Sequence, residues 1–241
     1  MKPINRISRF LPRMLRHLLF AVAGALVTGI VVKWANATGD DNIMNLGPSG
    51  TVGISLGTAY AAYVFLALAL VVGPWTMWRR RPLPVSSYLR RDFGIWAAVF
   101  AVLHAVIGLQ VYPEVSFWNF FLYPDNENPV FPIRLDFFGI ANYLGLISAL
   151  VLLFLLCLSS DLALRTLRAK RWKGLQRWAY LAAAITLSHG VMYLFMGQRT
   201  GGFVIMFLVI SGIALTAQLW GVVTTKRRSV ALSSGQRNMA E

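Results

Sequence analysis

The chain has 241 residues, of which 57% are hydrophobic and only 13% charged, with a mean hydropathy of +0.60. Soluble domains carry about 25% charged residues, so the composition excludes an ordinary soluble domain and reads as an all-α integral membrane protein. A net charge of +14 would point to nucleic acid in a soluble protein, but its placement along the chain points to membrane orientation and no nucleic-acid partner.

Six apolar stretches are each long enough, or nearly so, to cross a ~30 Å hydrocarbon core. They fall at about 18–34, 54–78, 93–111, 137–158, 178–196 and 203–223. Residues 1–17 form a basic tail with five Lys and Arg, suited to a short amphipathic helix on the inner leaflet. The stretch 2–37 also resembles a secretory signal: a basic start, a short apolar run, then Ala35-Asn36-Ala37. It is read here as a retained first span. The first outer segment, 37–53, is polar and rich in Gly and Asn, which fits a loop.

The second span ends at Gly73-Pro74-Trp75, followed by Arg79-Arg80-Arg81 and a short connection with two prolines. The second outer segment, 113–136, holds the aromatic run Phe117-Trp118-Asn119-Phe120-Phe121-Leu122-Tyr123. That run suits the membrane interface, where Trp and Tyr concentrate; its functional reading is a lid over a cofactor or a docking surface. The fourth connection, 159–176, is strongly basic, and residues 224–241 form a second basic tail.

Of the 23 Lys and Arg, 20 lie at the N-terminus, the second and fourth connections and the C-terminal tail; only Lys33, Arg134 and Arg199 fall on the other side. Positive charge favours the cytoplasmic side, so both termini are expected in the cytoplasm, around a six-helix domain spanning 18–223. The single Cys157 leaves no partner for an internal disulfide. No G-x-G-x-x-G or P-loop pattern marks a nucleotide site.

His104 and His189 carry the chemistry. Each follows a basic cluster by about twelve apolar or small residues, in the third and fifth spans. At 1.5 Å per residue both sit ~18–20 Å from the inner end of their helix, in the outer half of the membrane. An imidazole inside a membrane is costly and faces a partner, a cavity or a cofactor. Two at equal depth fit one object held between them, and a bis-histidine haem is the natural candidate. Depth can be counted along the chain; helix rotation cannot. Gly94, Gly108 and Gly190 offer small surfaces to a flat macrocycle or another helix. His17, at the inner border of the first span, reads as a headgroup contact, with a cytoplasmic-side ligand or quinone contact as the outside alternative.

Arg90-Arg91-Asp92-Phe93-Gly94-Ile95-Trp96 leading to Leu103-His104 resembles the third helix of ferric reductase-like transmembrane proteins. The segment Ser159-Ser160-Asp161, Arg171-Trp172-Lys173-Gly174-Leu175-Gln176-Arg177-Trp178 and Ser188-His189 resembles that family's fourth connection and fifth helix. The pattern is similar to the membrane haem subunit of the bacterial methionine sulfoxide reductase system. The resemblance implies haem b between His104 and His189 in a bacterial-type inner membrane. It implies an electron-transfer subunit, fed by quinol or a flavoprotein and delivering to a periplasmic-side acceptor or partner protein.

Relatives commonly place an inner-layer histidine where this chain has Gln176, and the opposing position falls at Arg90 or Arg91. Gln is a poor iron ligand and Arg a charged donor, so one haem is expected. Arg90 and Arg91 are then candidates to hold an acidic group such as a haem propionate or lipid phosphate. The alternative is an accessory subunit of a larger membrane complex with haem optional. A small transporter is the weakest reading, for want of intramembrane carboxylates, broken helices and inverted repeats.

Overall fold

A computed structural model describes residues 6–39, 50–78, 84–112, 115–124, 131–197 and 201–238. The described residues form seven α-helices: α1 (Arg6–Thr38), α2 (Thr51–Trp78), α3 (Pro84–Gly108), α4 (Phe137–Leu158), α5 (Asp161–Leu175), α6 (Trp178–Met196) and α7 (Gly201–Asn238). Among the described residues six segments are long and apolar enough to cross a membrane, in α1, α2, α3, α4 and α7 and one, Lys170–Met196, that starts in the end of α5 and runs through α6. This is the expected six-helix bundle of a multi-pass membrane protein. Helices satisfy every backbone group within themselves, which hydrocarbon requires.

The ends of the helices differ from a hydropathy reading. The basic tail is continuous with the first span from Arg6, and α3 begins at Pro84, nine residues before the apolar run. Proline fits a first helical turn because its missing N–H would have no partner there. The basic connection 159–176 contains a helix, α5, started by Ser160, whose hydroxyl accepts from Ala163 N at 3.1 Å. Arg168 interrupts α5 at φ 58° and ψ 155°, a region that L-residues rarely enter. Trp172 Nε1 ties α5 to the end of α4 by donating to Leu158 O at 2.9 Å.

Two apolar clusters hold the bundle. One joins α2, α3, α4 and α6 through residues such as Phe65, Ala97, Leu152 and Ala182. The other joins α1, α2 and α7 through Val31, Tyr60, Phe203 and Phe207. Tyr60 donates to Phe203 O at 2.8 Å, closing the second cluster with a hydrogen bond. The outward faces carry exposed Leu26, Ile30, Leu208 and Leu219, as a lipid-facing surface should.

Pro74 lies inside α2 and cannot donate to the carbonyl of Leu70, four residues earlier. Gln218 of α7 fills the gap, its Nε2 donating to Leu70 O at 2.5 Å. Helices α3 and α6 have little direct backbone contact. Both pack on α4, and α2 stands beside both. They face one another across a gap, and the functional side chains project into it.

Residues 40–49, 79–83, 113–114, 125–130 and 198–200 lie outside the described residues, and with them the arginine run Arg79–Arg81 and parts of both outer segments. Within the second outer segment, Phe117–Phe120 forms a 3-10 turn, and Leu122 pairs with Ile133 in an isolated antiparallel bridge. The aromatic run divides in two. Phe120 is buried against Tyr112 and Phe138, whereas Phe117 and Trp118 are exposed.

Candidate functional site

His104 on α3 and His189 on α6 meet in the gap, with ring centroids 6.1 Å apart and planes at 69°. The backbone fixes both rings. His104 Nδ1 lies 2.9 Å from Ser55 O on α2, with the Ser55 hydroxyl at 3.3 Å. His189 Nδ1 lies 2.8 Å from Ala141 O on α4. A carbonyl oxygen can only accept, so each Nδ1 carries the proton and each Nε2 keeps its lone pair. Metal-bound imidazoles are oriented in this way.

Further contacts position His189. Tyr193, one turn later, lies against its ring at 4.9 Å and donates to Asn142 Oδ1 at 2.6 Å. The Asn142 amide reaches Phe120 O at 3.4 Å, and Tyr143 OH donates to Phe121 O. The outer hairpin is thereby linked to the histidine layer through α4. Arg134 secures the hairpin by donating to Asp136 and to Asn119 O, while Asp136 caps α4 at Gly139 N. Gly145 is required at the ring itself: a Cβ there would stand 2.7 Å from His189 Cε1 and 2.9 Å from Nδ1.

Two of the three glycines singled out from sequence meet other helices, the second of the two readings open to them. Gly108 faces the Ser55 hydroxyl, and a side chain on Gly190 would meet Phe207. Both are points of helix packing. Gly94 has open space where a Cβ would be. Gly145 was missed because it lies on α4, and sequence spacing does not reveal which face of α4 meets α6.

The inner end is built differently. The Asp92 carboxylate is buried, at 1% exposure, with Arg16 Nε 2.6 Å from Oδ2. This is an ion pair by distance, without the alignment of a hydrogen bond. Trp96 Nε1 donates to His17 Nδ1 at 3.1 Å, which leaves the proton of a neutral His17 on Nε2, 3.7 Å from Asp92 Oδ1. His17 therefore joins α1 to α3. Asp92 stands at the start of the apolar run of α3, directly after Arg90 and Arg91. No sequence period pairs residues 16 and 92.

Arg91 Nη1 donates to Asp161 Oδ1 at 2.7 Å, and Arg13 stands 3.8 Å from the same carboxylate. The Arg91 hydrogen bond, reinforced by the charges of Arg91, Arg13 and Arg165, holds the Asp161 carboxyl below its ordinary range. Arg90 lies over the Tyr180 ring at 5.8 Å. Both Arg90 and Arg91 border a small pocket between α2, α3, α4 and α6, about 40 Å³ in volume. Gln176 reaches the same cavity from the turn between α5 and α6.

Arg91 precedes His104 by thirteen residues and Gln176 precedes His189 by thirteen, so the two sites are separated by ~20 Å of helical rise. The structure unites His104 with His189, and Arg90 and Arg91 with Gln176, in two distinct layers. Among the described residues no group of three His, Cys, Asp or Glu converges as a metal site would. Two imidazoles supply too few protein ligands for a structural zinc, so a metal held by them must bring most of its own coordination sphere.

The family described as ferric reductase like transmembrane component matches residues 57–187, more than half of the chain. No curated protein and no solved structure matches it.

Proposed function

The chain belongs to the ferric reductase-like transmembrane family, and from that premise we propose that it is a b-type haem electron-transfer subunit of the bacterial-type inner membrane. His104 and His189 would hold one haem between α3 and α6. The observation that carries this reading is the facing pair of imidazoles 6.1 Å apart, each with Nδ1 committed to a backbone carbonyl. With metal–nitrogen bonds of ~2 Å and a ring nitrogen about 1 Å from each ring centre, two imidazoles on one metal have centroids about 6 Å apart.

Bound haem supplies one-electron oxidation and reduction of its iron. The chain's own residues orient and enclose it. Ser55 and Ala141 hold the two rings through backbone acceptors, so substitution of their side chains leaves those acceptors in place. Tyr193 and Asn142 fix His189 from the outer side. Electrons would enter from quinol or a cytoplasmic flavoprotein and leave to a periplasmic-side acceptor, with both termini in the cytoplasm. The subunit is then one part of an oxidoreductase and works with a redox partner protein.

Gln176 and Arg91 in the inner layer support one haem and not two. Pyridine haemochrome and iron analysis of the purified chain test this, with one haem and one iron per chain expected. A ratio of zero would favour the accessory-subunit reading, and a ratio of two would refute the assignment of the inner layer.

A further inference from the structure

We propose that α5 and the turn into α6 form a binding surface for the phosphate headgroups of anionic phospholipid. Residues 165–177 hold six cations, Arg165, Arg168, Lys170, Arg171, Lys173 and Arg177, and no carboxylate. All six are exposed. The one acid of α5, Asp161, is already engaged by Arg91 and Arg13. None of Arg168, Lys170, Arg171 and Lys173 has an ion pair among the described residues. Like charges crowded on one short segment repel one another, so this surface favours an anion.

Packing fixes the depth of the surface. Ala163, Leu167 and Leu175 turn one side of α5 onto the bundle core, which leaves the cations outside. The Trp172 bond to Leu158 O holds α5 at the last residue of α4, where that apolar span ends. Trp178 and Tyr180, at the start of α6, are exposed at the same end, and such rings settle at headgroup level. Leu162, in the first turn of α5, is 74% exposed. A soluble acidic partner would need cations standing clear of the membrane. Cations level with the end of a hydrocarbon span, bordered by exposed Leu and Trp, fit a phosphodiester carried on acyl chains. Guanidinium groups can grip two phosphate oxygens at once. The inference depends neither on haem at His104 and His189 nor on the direction of electron flow.

The test titrates the purified full chain in dodecyl maltoside micelles with dioctanoyl phosphatidylglycerol or dioctanoyl phosphatidylcholine, followed by calorimetry. Saturable binding of phosphatidylglycerol alone is expected. It should fade as salt rises from about 0.1 M to about 1 M, where the screening length falls from ~10 Å to ~3 Å. Arg168→Gln, Lys170→Gln and Arg171→Gln together should weaken binding about a hundredfold, at about fivefold per cation. Arg168→Lys with Arg171→Lys keeps the charge and should keep most of the affinity. Circular dichroism checks that each variant retains the helical content of the parent. If the triple variant does not, Lys170→Gln alone takes its place, with a loss of about fivefold expected. Parent-like affinity in the triple variant would overturn the proposal, as would an equal loss in Arg227→Gln on α7, since the effect would then be net charge and not this surface. Equal competition by inorganic phosphate would make it a free-phosphate site and overturn the lipid assignment. Tighter binding of soluble polyglutamate than of phosphatidylglycerol would overturn it in favour of an acidic protein.

Discussion

The outer and inner layers of this bundle sit on the same two helices and are finished to different degrees. At the outer layer both imidazoles have their Nδ1 paired to backbone, and a tyrosine and an asparagine lock His189 in turn. At the inner layer Gln176 Nε2 and Arg91 Nε are buried without hydrogen bonds, beside open space at Gly94. A completed set of contacts marks a site that holds its occupant rigidly. An incomplete set leaves buried donors unsatisfied, each at a cost of about 1–3 kcal/mol.

The largest expected effect breaks the outer layer. His104→Ala or His189→Ala should each remove the low-spin b-type spectrum entirely, because each ring would supply one axial ligand. Reduced-minus-oxidised difference spectra of membranes check this. An unchanged Soret band in both variants would end the bis-histidine assignment.

Next comes the inner layer's charge pair. Asp92→Ala removes the buried partner of Arg16, whose own side chain is 27% exposed, so the cost falls below the about 3–5 kcal/mol of a fully buried pair. The expected result is a fall in detergent thermal stability, with any folded fraction keeping the outer haem spectrum. A variant as stable as the parent would show that the Asp92–Arg16 contact contributes little.

A finer probe of the outer layer is Gly145→Ala. The added methyl would press on His189 Cε1 and Nδ1, so the ring must tilt or the helices part. A shifted haem midpoint potential is expected, with overall stability changed by only about 1–3 kcal/mol, as for local overpacking. Potentiometric titration measures it, and an unaltered potential would argue that α4 yields without moving the ring.

The smallest effect concerns Asp161. Its carboxyl is held low in the folded chain. It therefore contributes stability above its ordinary value near 4, and that contribution is lost as pH falls through the lowered folded value. Asp161 is largely exposed, so the gain is less than about 1 kcal/mol. Asp161→Asn should flatten this part of the acid stability profile; an identical profile would show the Arg91 pair to be inert.

The apolar spans were legible because hydrocarbon demands length and low polarity. Stretches read at 137–158 and 178–196 coincide with α4 and α6. Boundaries at α1 and α3 were not legible, because charge stops hydropathy at the interface while helical hydrogen bonds continue past it. The equal depth of His104 and His189 could be counted. Their approach to 6.1 Å could not, since it depends on the rotation of two helices that α4 sets relative to one another. Arg90 and Arg91 were singled out for a haem propionate or lipid phosphate; the acidic group that meets Arg91 in the structure is the protein's own Asp161. The contact needed α5, a helix hidden within a basic connection. The pairing of residue 16 with residue 92 leaves no trace in periodicity at all.

The Pro74 gap in α2 has a bearing on biosynthesis. The donor that completes it, Gln218, lies on α7, 148 residues after Leu70. Until α7 arrives, the carbonyl of Leu70 stays bare at a depth where water is scarce, at a cost of several kcal/mol. The second helix is thus made early and finished late. A chain truncated before residue 218 would contain both histidines yet carry a defect in the helix that supplies Ser55.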